Sequence, residues 1–355
     1  MVPTCGKLCK AKRGIENKLI NGGIILKLKE ISIMNVLMCF SVVFIHLTSG
    51  PVTSLRHDSV WYFLMFSFNK FLTFAVPAFL FLSGFKLYYK YQDDKIDLKK
   101  FYGGRLKKIV LPYVISYLVY FFFYLYGNLT KWNEFLPGFL LGTLVAHFYY
   151  IIIAIQFYIL FPFMISFFKK NDKVMLALSL ISTIVFNQFL FFNYSDRAFV
   201  TYFFYFVLGM LFAKYKDKIK KTNLFPLWYT LFLIVSVIHI YLSYKMSLGK
   251  LWYKYSGIGQ VFYVTISIMV IYRLCTVLKG QKLDMFVSFI DPNTFSIFLY
   301  HILIMNVMQF VVYPHFNLSM KYQFVLTSIV VISVIFLYCF VKNKIRSRFI
   351  SKANH

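Results

Sequence analysis

Acidic side chains are scarce in this sequence. Only 12 Asp and Glu stand among 355 residues, and charged residues of both signs make up 14%. A soluble domain carries roughly a quarter charged residues. A chain that is 60% hydrophobic cannot cover its apolar surface with so few polar groups. No acid falls in the middle of an apolar run, and Asp291 lies only near the inner end of one. That argues against a pump driven by a membrane carboxylate. Cysteine gives as little to work with. Cys5, Cys9, Cys39, Cys275 and Cys339 are odd in number and form no C-x-x-C or Cys/His cluster. Neither a disulfide framework nor a metal site is expected, and the last three read as small packing residues. The phosphate-loop, G-x-S-x-G, H-E-x-x-H and dinucleotide fingerprints are all missing. No internal repeat stands out, which disfavours inverted-repeat transporter folds. No polar tract is long enough for a separate soluble domain.

Long apolar runs are what the sequence has. Mean hydropathy is +0.68, and runs of about 20 residues, the length of a helix that crosses the hydrocarbon core, recur along the chain. They fall near 31–50, 69–89, 108–127, 139–168, 174–192, 199–213, 225–244, 257–278, 289–312 and 323–341. The fold expected is all-α, a polytopic transmembrane bundle of about ten spans. The 139–168 run is long for one helix, and Glu134 to Thr143, with Pro137 and Gly138, reads as a short interfacial piece. The 199–213 run is the shortest. Aromatics reach 21%, with 44 Phe and 28 Tyr, in keeping with rings at the lipid headgroup level.

Lys and Arg number 39 and give a net charge of +27. In a soluble protein this balance points to nucleic acid. Here the basic residues lie between apolar runs, where they keep loops in the cytoplasm and meet anionic lipid, so no nucleic-acid partner is expected. With the N-terminus inside, inner segments hold 31 basic residues and outer loops 7. That asymmetry supports ten spans with both termini cytoplasmic. The chain divides into a basic cytoplasmic segment 1–30 without a cleavable signal pattern, a membrane domain 31–342 and a basic cytoplasmic tail 343–355. Usage rich in Lys, Ile, Phe and Asn is that of an AT-rich bacterial genome, and the place is the cell membrane.

Polar groups inside spans mark function by default. At 1.5 Å per residue, His46 lies roughly 24 Å above the inner start of the first span. His301 lies about a dozen residues into the ninth, which runs the same way, and His147 opens an inward-running span. The three imidazoles fall at one depth, in the outer half. Either they form a proton-handling site open to the outside, or each hydrogen-bonds separately to a neighbouring helix. His239 poses the same alternative alone. Arg105, Lys107 and Lys108, beside Gly103 and Gly104 at the inner start of the third span, either grip phosphate groups or mark the cytoplasmic end of a helix.

Several stretches, in order, resemble the family-3 membrane acyltransferases, integral-membrane enzymes that O-acylate surface glycans. Val42-Val-Phe-Ile-His46 is similar to their first-span histidine motif. Val76-Pro-Ala-Phe-Leu-Phe-Leu-Ser83-Gly84-Phe85 is similar to their second span, and Arg105 to Pro112 to the start of their third. His147-Phe-Tyr-Tyr150 through Tyr158 and Pro162, Gly209, and Ser296-Ile-Phe-Leu-Tyr-His301 complete the series. The resemblance covers roughly 30–342. It implies an O-acyltransferase that takes an acyl group, typically acetyl, from cytoplasmic acyl-CoA, with no bound cofactor. The acceptor it implies is a hydroxyl of an extracytoplasmic glycan or lipid-linked sugar. It implies His46 as general base, His301 as a second catalytic residue, and Arg105, Lys107 and Lys108 at the donor phosphates. Ser83, His147 and Tyr150 are the implied substrate contacts. Some members are described as polysaccharide exporters, so export of a glycan or lipid-linked intermediate is the alternative. Two positions depart from the pattern: Asn35 stands where an arginine is usual, eleven residues before His46, and Lys108 replaces the second arginine of the basic pair.

Overall fold

A chain in hydrocarbon must satisfy its backbone polar groups internally, and apolar runs of this length do so as helix. The computed structural model describes residues 28–190, 192–220, 225–249, 257–278 and 280–353, and among them it is helical with no strand. The basic segment 1–30, with Cys5 and Cys9, lies almost wholly outside the described residues.

Among the described residues, eight helices are long and apolar enough to cross a bilayer. They are α1 (Lys29–Ser54), α2 (Val60–Tyr91), α3 (Leu98–Tyr126), α5 (Phe148–Lys170), α8 (Phe225–Ser247), α9 (Ile258–Val277), α10 (Gln281–His315) and α11 (Met320–Ala353). Two shorter ones, α6 (Asp172–Gln188) and α7 (Phe199–Lys214), occupy the runs read at 174–192 and 199–213. The multi-pass helical bundle expected from the runs is thus the architecture found. Several helices run past the apolar stretch that marks them. α11 continues through the basic tail to Ala353, and α2 starts at Val60, where the Ser59 side chain accepts a hydrogen bond from the Tyr62 amide.

The long 139–168 run is two elements. A short helix α4 (Phe135–Leu141) ends at Gly142, whose φ of +62° is left-handed, a conformation that costs glycine little because it has no Cβ. The chain then turns through His147 into α5. Two tyrosines of α3 hold α4 in place: Tyr117 donates to the Phe135 carbonyl at 2.6 Å and Tyr113 to the Phe139 carbonyl at 2.7 Å.

α1 and α2 form the centre, each with 72% of its most apolar window buried, whereas α11 buries 17% and lies at the edge of the bundle. The tightest crossing is between α2 and α7. A Cβ on Gly84 would run into the Phe206 carbonyl, and one on Gly209 into the Phe81 carbonyl. Small residues that let backbones touch are the usual way helices associate in lipid, where no hydrophobic force separates helix from tail. Short α7 is anchored by that contact. At its inner end the Lys214 ammonium and the Tyr215 hydroxyl both reach Asp172, at 2.8 and 2.7 Å, tying it to α6.

Candidate active site

The pairing of α1 with α10 sets the site. On one face of α1, Lys29 meets Asp284 at 2.6 Å. Ser32 and Asn35 donate to the two carboxylate oxygens of Asp291, at 3.1 and 2.7 Å, and Asn35 also donates to the Thr294 hydroxyl at 2.9 Å. The Cys39 thiol faces the Thr294 carbonyl at 3.6 Å. Lys29 and Asp284, and Cys39 and Thr294, are each 255 positions apart, so the two helices run parallel and in register. The same offset brings His46 against His301, with ring centroids 5.2 Å apart. Polar contacts at the inner end therefore fix which residues meet roughly 25 Å further out.

His147 joins from the turn before α5. Its ring centre lies 5.1 Å from that of His301 and 6.2 Å from that of His46. The three imidazoles predicted to share a depth are one cluster. Their hydrogens can be placed from their partners. His301 Nδ1 points at the Phe298 and Ile297 carbonyls, at 2.8 and 3.1 Å, and His147 Nε2 at the Leu299 carbonyl, at 3.2 Å. A carbonyl only accepts, so these nitrogens carry hydrogen. His301 Nε2 and His147 Nδ1 are buried with no partner among the described residues. They are bare acceptors held inside the cluster. His147 and His301 are deeply buried, at 2% and 1% exposure, and His46 and His147 both border a cavity of about 220 Å³.

That cavity gathers most of the motifs. Val42 and His46 come from α1, Thr73, Val76 and Pro77 from α2, His147, Tyr149 and Tyr150 from the start of α5, and Phe298 from α10. Pro77 cannot donate to the carbonyl of Thr73, and α2 narrows to a 3-10 turn at Leu72–Phe74 just there, with Thr73 on the cavity wall. Tyr150 also interacts with the Ser83 side chain, so Ser83 stands behind Tyr150, off the cavity wall, and its neighbour Gly84 makes the α2–α7 crossing.

The basic cluster lies elsewhere. Arg105, Lys107 and Lys108 are not on the cavity wall. The Arg105 guanidinium is sandwiched between the Phe101 and Tyr158 rings, 5.2 and 5.1 Å from their centres. Lys107 and Lys108 are exposed on a widened π turn, Leu106–Val110, inside α3. Tyr158 and cavity-lining Tyr150 are two turns apart on α5, about 12 Å.

Further residues complete the surroundings of the cavity. Tyr202 and Gln260 line the cavity from α7 and α9. His239 stacks on Tyr263, with centres 4.0 Å apart, and its Nε2 meets the Thr73 hydroxyl at 3.1 Å and the Lys70 carbonyl at 3.2 Å. It touches the cavity-lining Thr73. The missing arginine has a counterpart too. The Lys86 ammonium of α2 donates to the Asn35 amide oxygen at 3.1 Å, so a cation stands beside position 35 although it belongs to another helix. Among the described residues no group of three or more His, Cys, Asp or Glu forms a metal-binding set.

The described residues thus define a multi-pass membrane protein with a buried imidazole cluster beside a small cavity. A family model described as an acyltransferase domain, family 3, matches residues 28–341. The chain belongs to that family. Its curated relatives include the probable poly-beta-1,6-N-acetyl-D-glucosamine export protein of Staphylococcus aureus. The strain MSSA476 protein is 23% identical over 300 residues, covering 78% of this chain and 82% of the relative. The strain MRSA252 protein is 24% identical over 302 residues with the same coverage. No solved structure matches the fold.

Proposed function

We propose that the protein is an O-acyltransferase that moves an acyl group from cytoplasmic acyl-CoA to a hydroxyl of an extracytoplasmic glycan. The observation that carries this reading is the three-histidine cluster beside a small cavity in a chain of this family. A sugar hydroxyl is a poor nucleophile near neutral pH, and a positioned imidazole removes its proton as attack proceeds. His46, which faces the cavity, is that base. The hydroxyl oxygen bonds to the thioester carbonyl carbon, the carbon–sulfur bond breaks, and the proton held by His46 passes to the departing thiolate. His301 and His147 offer bare nitrogens close enough to share the charge that forms on His46, directly or across one water.

Arg105, Lys107 and Lys108 hold the donor phosphates from the inner side, with Lys86 as a further cation beside Asn35. Arg105 suits this because its planar cation stacks on rings while its N–H groups still reach an anion. Tyr158 and Tyr150 mark the line from this grip to the cavity, about 12 Å along α5, a span for the extended arm of a thioester donor. The relatives' names make an N-acetylglucosamine polymer the first acceptor to assay.

Those same names favour a second reading, export of the polymer. The two are told apart by supplying membranes or proteoliposomes with labelled acetyl-CoA on the inner side and a β-1,6-linked N-acetylglucosamine oligomer on the outer side. Label appearing on the oligomer supports transfer. Movement of oligomer across the bilayer with no label on it would replace the transferase reading with export.

A further inference from the structure

We propose that a second, outer cavity is the subsite for a neutral or amino-bearing hexopyranose of the acceptor chain, a reading that rests on the transferase function above. This cavity, about 400 Å³, lies among Tyr124, Thr130, Glu134, Thr143, Asn306 and Phe310. Its volume is within the range of small-molecule pockets, roughly 300–1,000 Å³. The polar groups are already arranged by each other. Thr130 donates to Glu134 Oε2 at 2.8 Å, and the Asn306 amide donates to the Tyr124 hydroxyl at 2.5 Å. Among the described residues Glu134 Oε1, the Asn306 amide oxygen, the Tyr124 O–H and the Thr143 hydroxyl make no further hydrogen bond within the protein, and Glu134 and Thr143 are exposed. Two acceptors and two hydroxyls, beside the Tyr124 and Phe310 rings, fit a ring that carries several hydroxyls on its edge and C–H groups on its faces. The lone carboxylate favours a neutral or cationic sugar and disfavours a uronic acid.

The position suits an acceptor. Asn306 is five residues outward from His301 on α10, about 7.5 Å. Tyr124 is one turn beyond Tyr120, whose ring centre lies 6.0 Å from that of His147 and whose hydroxyl donates to the same Leu299 carbonyl that His147 uses. Thr143 stands four residues before His147. Three elements thus place the cavity directly outward of the imidazole cluster. A π turn at Met308–Val312 interrupts α10 there and carries Phe310, a distortion that helices tend to keep at functional sites. A glycan seated by one ring in this cavity presents the hydroxyl of a neighbouring ring to His46.

The test uses the full chain in lipid nanodiscs and isothermal titration with three tetrasaccharides: N-acetylglucosamine tetramer, its de-N-acetylated form and galacturonic acid tetramer. The first two bind and the third does not. Glu134→Gln, an isosteric change at an exposed residue, weakens the de-N-acetylated tetramer about ten-fold or more and narrows the discrimination against the uronate. Asn306→Ala weakens both binders and leaves acetyl-CoA affinity unchanged. Equal binding of all three sugars, or full affinity in both variants, overturns the subsite. Wild type that binds with the predicted order yet never acylates a sugar removes the transferase reading and leaves the subsite in place.

Discussion

At the scale of single residues, the site rests on where hydrogens sit. His301 and His147 spend one nitrogen each on backbone carbonyls and keep the other bare, and His46, which makes no such bond among the described residues, borders the cavity beside His147. Replacing a neighbour is therefore expected to act differently from replacing the base. His301→Gln retains the hydrogen-bonding size of the ring but cannot share a proton. It should lower kcat by about ten-fold or more with little change in either KM, since general acid–base groups contribute roughly 10²–10⁴-fold. Arg105 makes a separate prediction at the other end. Arg105→Lys keeps the charge but loses the flat stacking between Phe101 and Tyr158. The acyl-CoA KM should rise while the acceptor KM stays, and Arg105→Ala should raise it further. An unchanged donor KM in both variants would remove Arg105 from the donor site.

At the scale of helices, register is the controlling quantity. The α1–α10 interface is parallel, with polar pairs spaced so that His46 and His301 coincide. Asp291 receives both Ser32 and Asn35. Asp291→Ala leaves those donors without their charged partner, a loss of about 1.5–3 kcal/mol per hydrogen bond to a charged group. It should lower the Tm in detergent and reduce kcat although Asp291 is far from the cavity. A variant with lowered Tm and wild-type kcat would show that register is held elsewhere. Gly209→Leu meets the Phe81 carbonyl, so helices α2 and α7 must separate, and little folded protein should be recovered on size-exclusion chromatography. The depth of the three histidines was legible in the sequence because helical rise converts position to height. The α1–α10 pairing was not, because nothing in one sequence says which helix lies against which. Thr73 and Tyr202 were missed for a related reason: a hydroxyl in a run of apolar and aromatic residues shows no preferred face. Gln260 did carry a signal, a lone amide near the start of an apolar helix. Lys86 was hidden among the many cytoplasmic basic residues and gained meaning only when the fold set it against Asn35.

At the scale of the whole molecule, the bundle separates two chemistries. The basic groups crowd one end, the imidazole cluster lies nearer the other, and the outer cavity beyond it completes the line. This arrangement predicts sidedness. In a background with Cys5 and Cys9 changed to serine, Asp58→Cys should react with an impermeant maleimide from outside and Asp94→Cys only from inside. The native Cys39, Cys275 and Cys339 are buried and add little background. Labelling of both from one face would break the charge-based topology. The fold class followed from run length alone, whereas the split of the 139–168 run depended on one left-handed glycine, Gly142, that hydropathy does not see.

The most direct measurement of the central claim is acyl transfer by His46→Ala set beside wild type, both purified into nanodiscs, with labelled acetyl-CoA and a β-1,6-linked N-acetylglucosamine oligomer. The account predicts that the variant inserts, binds both substrates with wild-type affinity and loses transfer by about 10²–10⁴-fold. Transfer at the wild-type rate from a correctly inserted His46→Ala protein would contradict it.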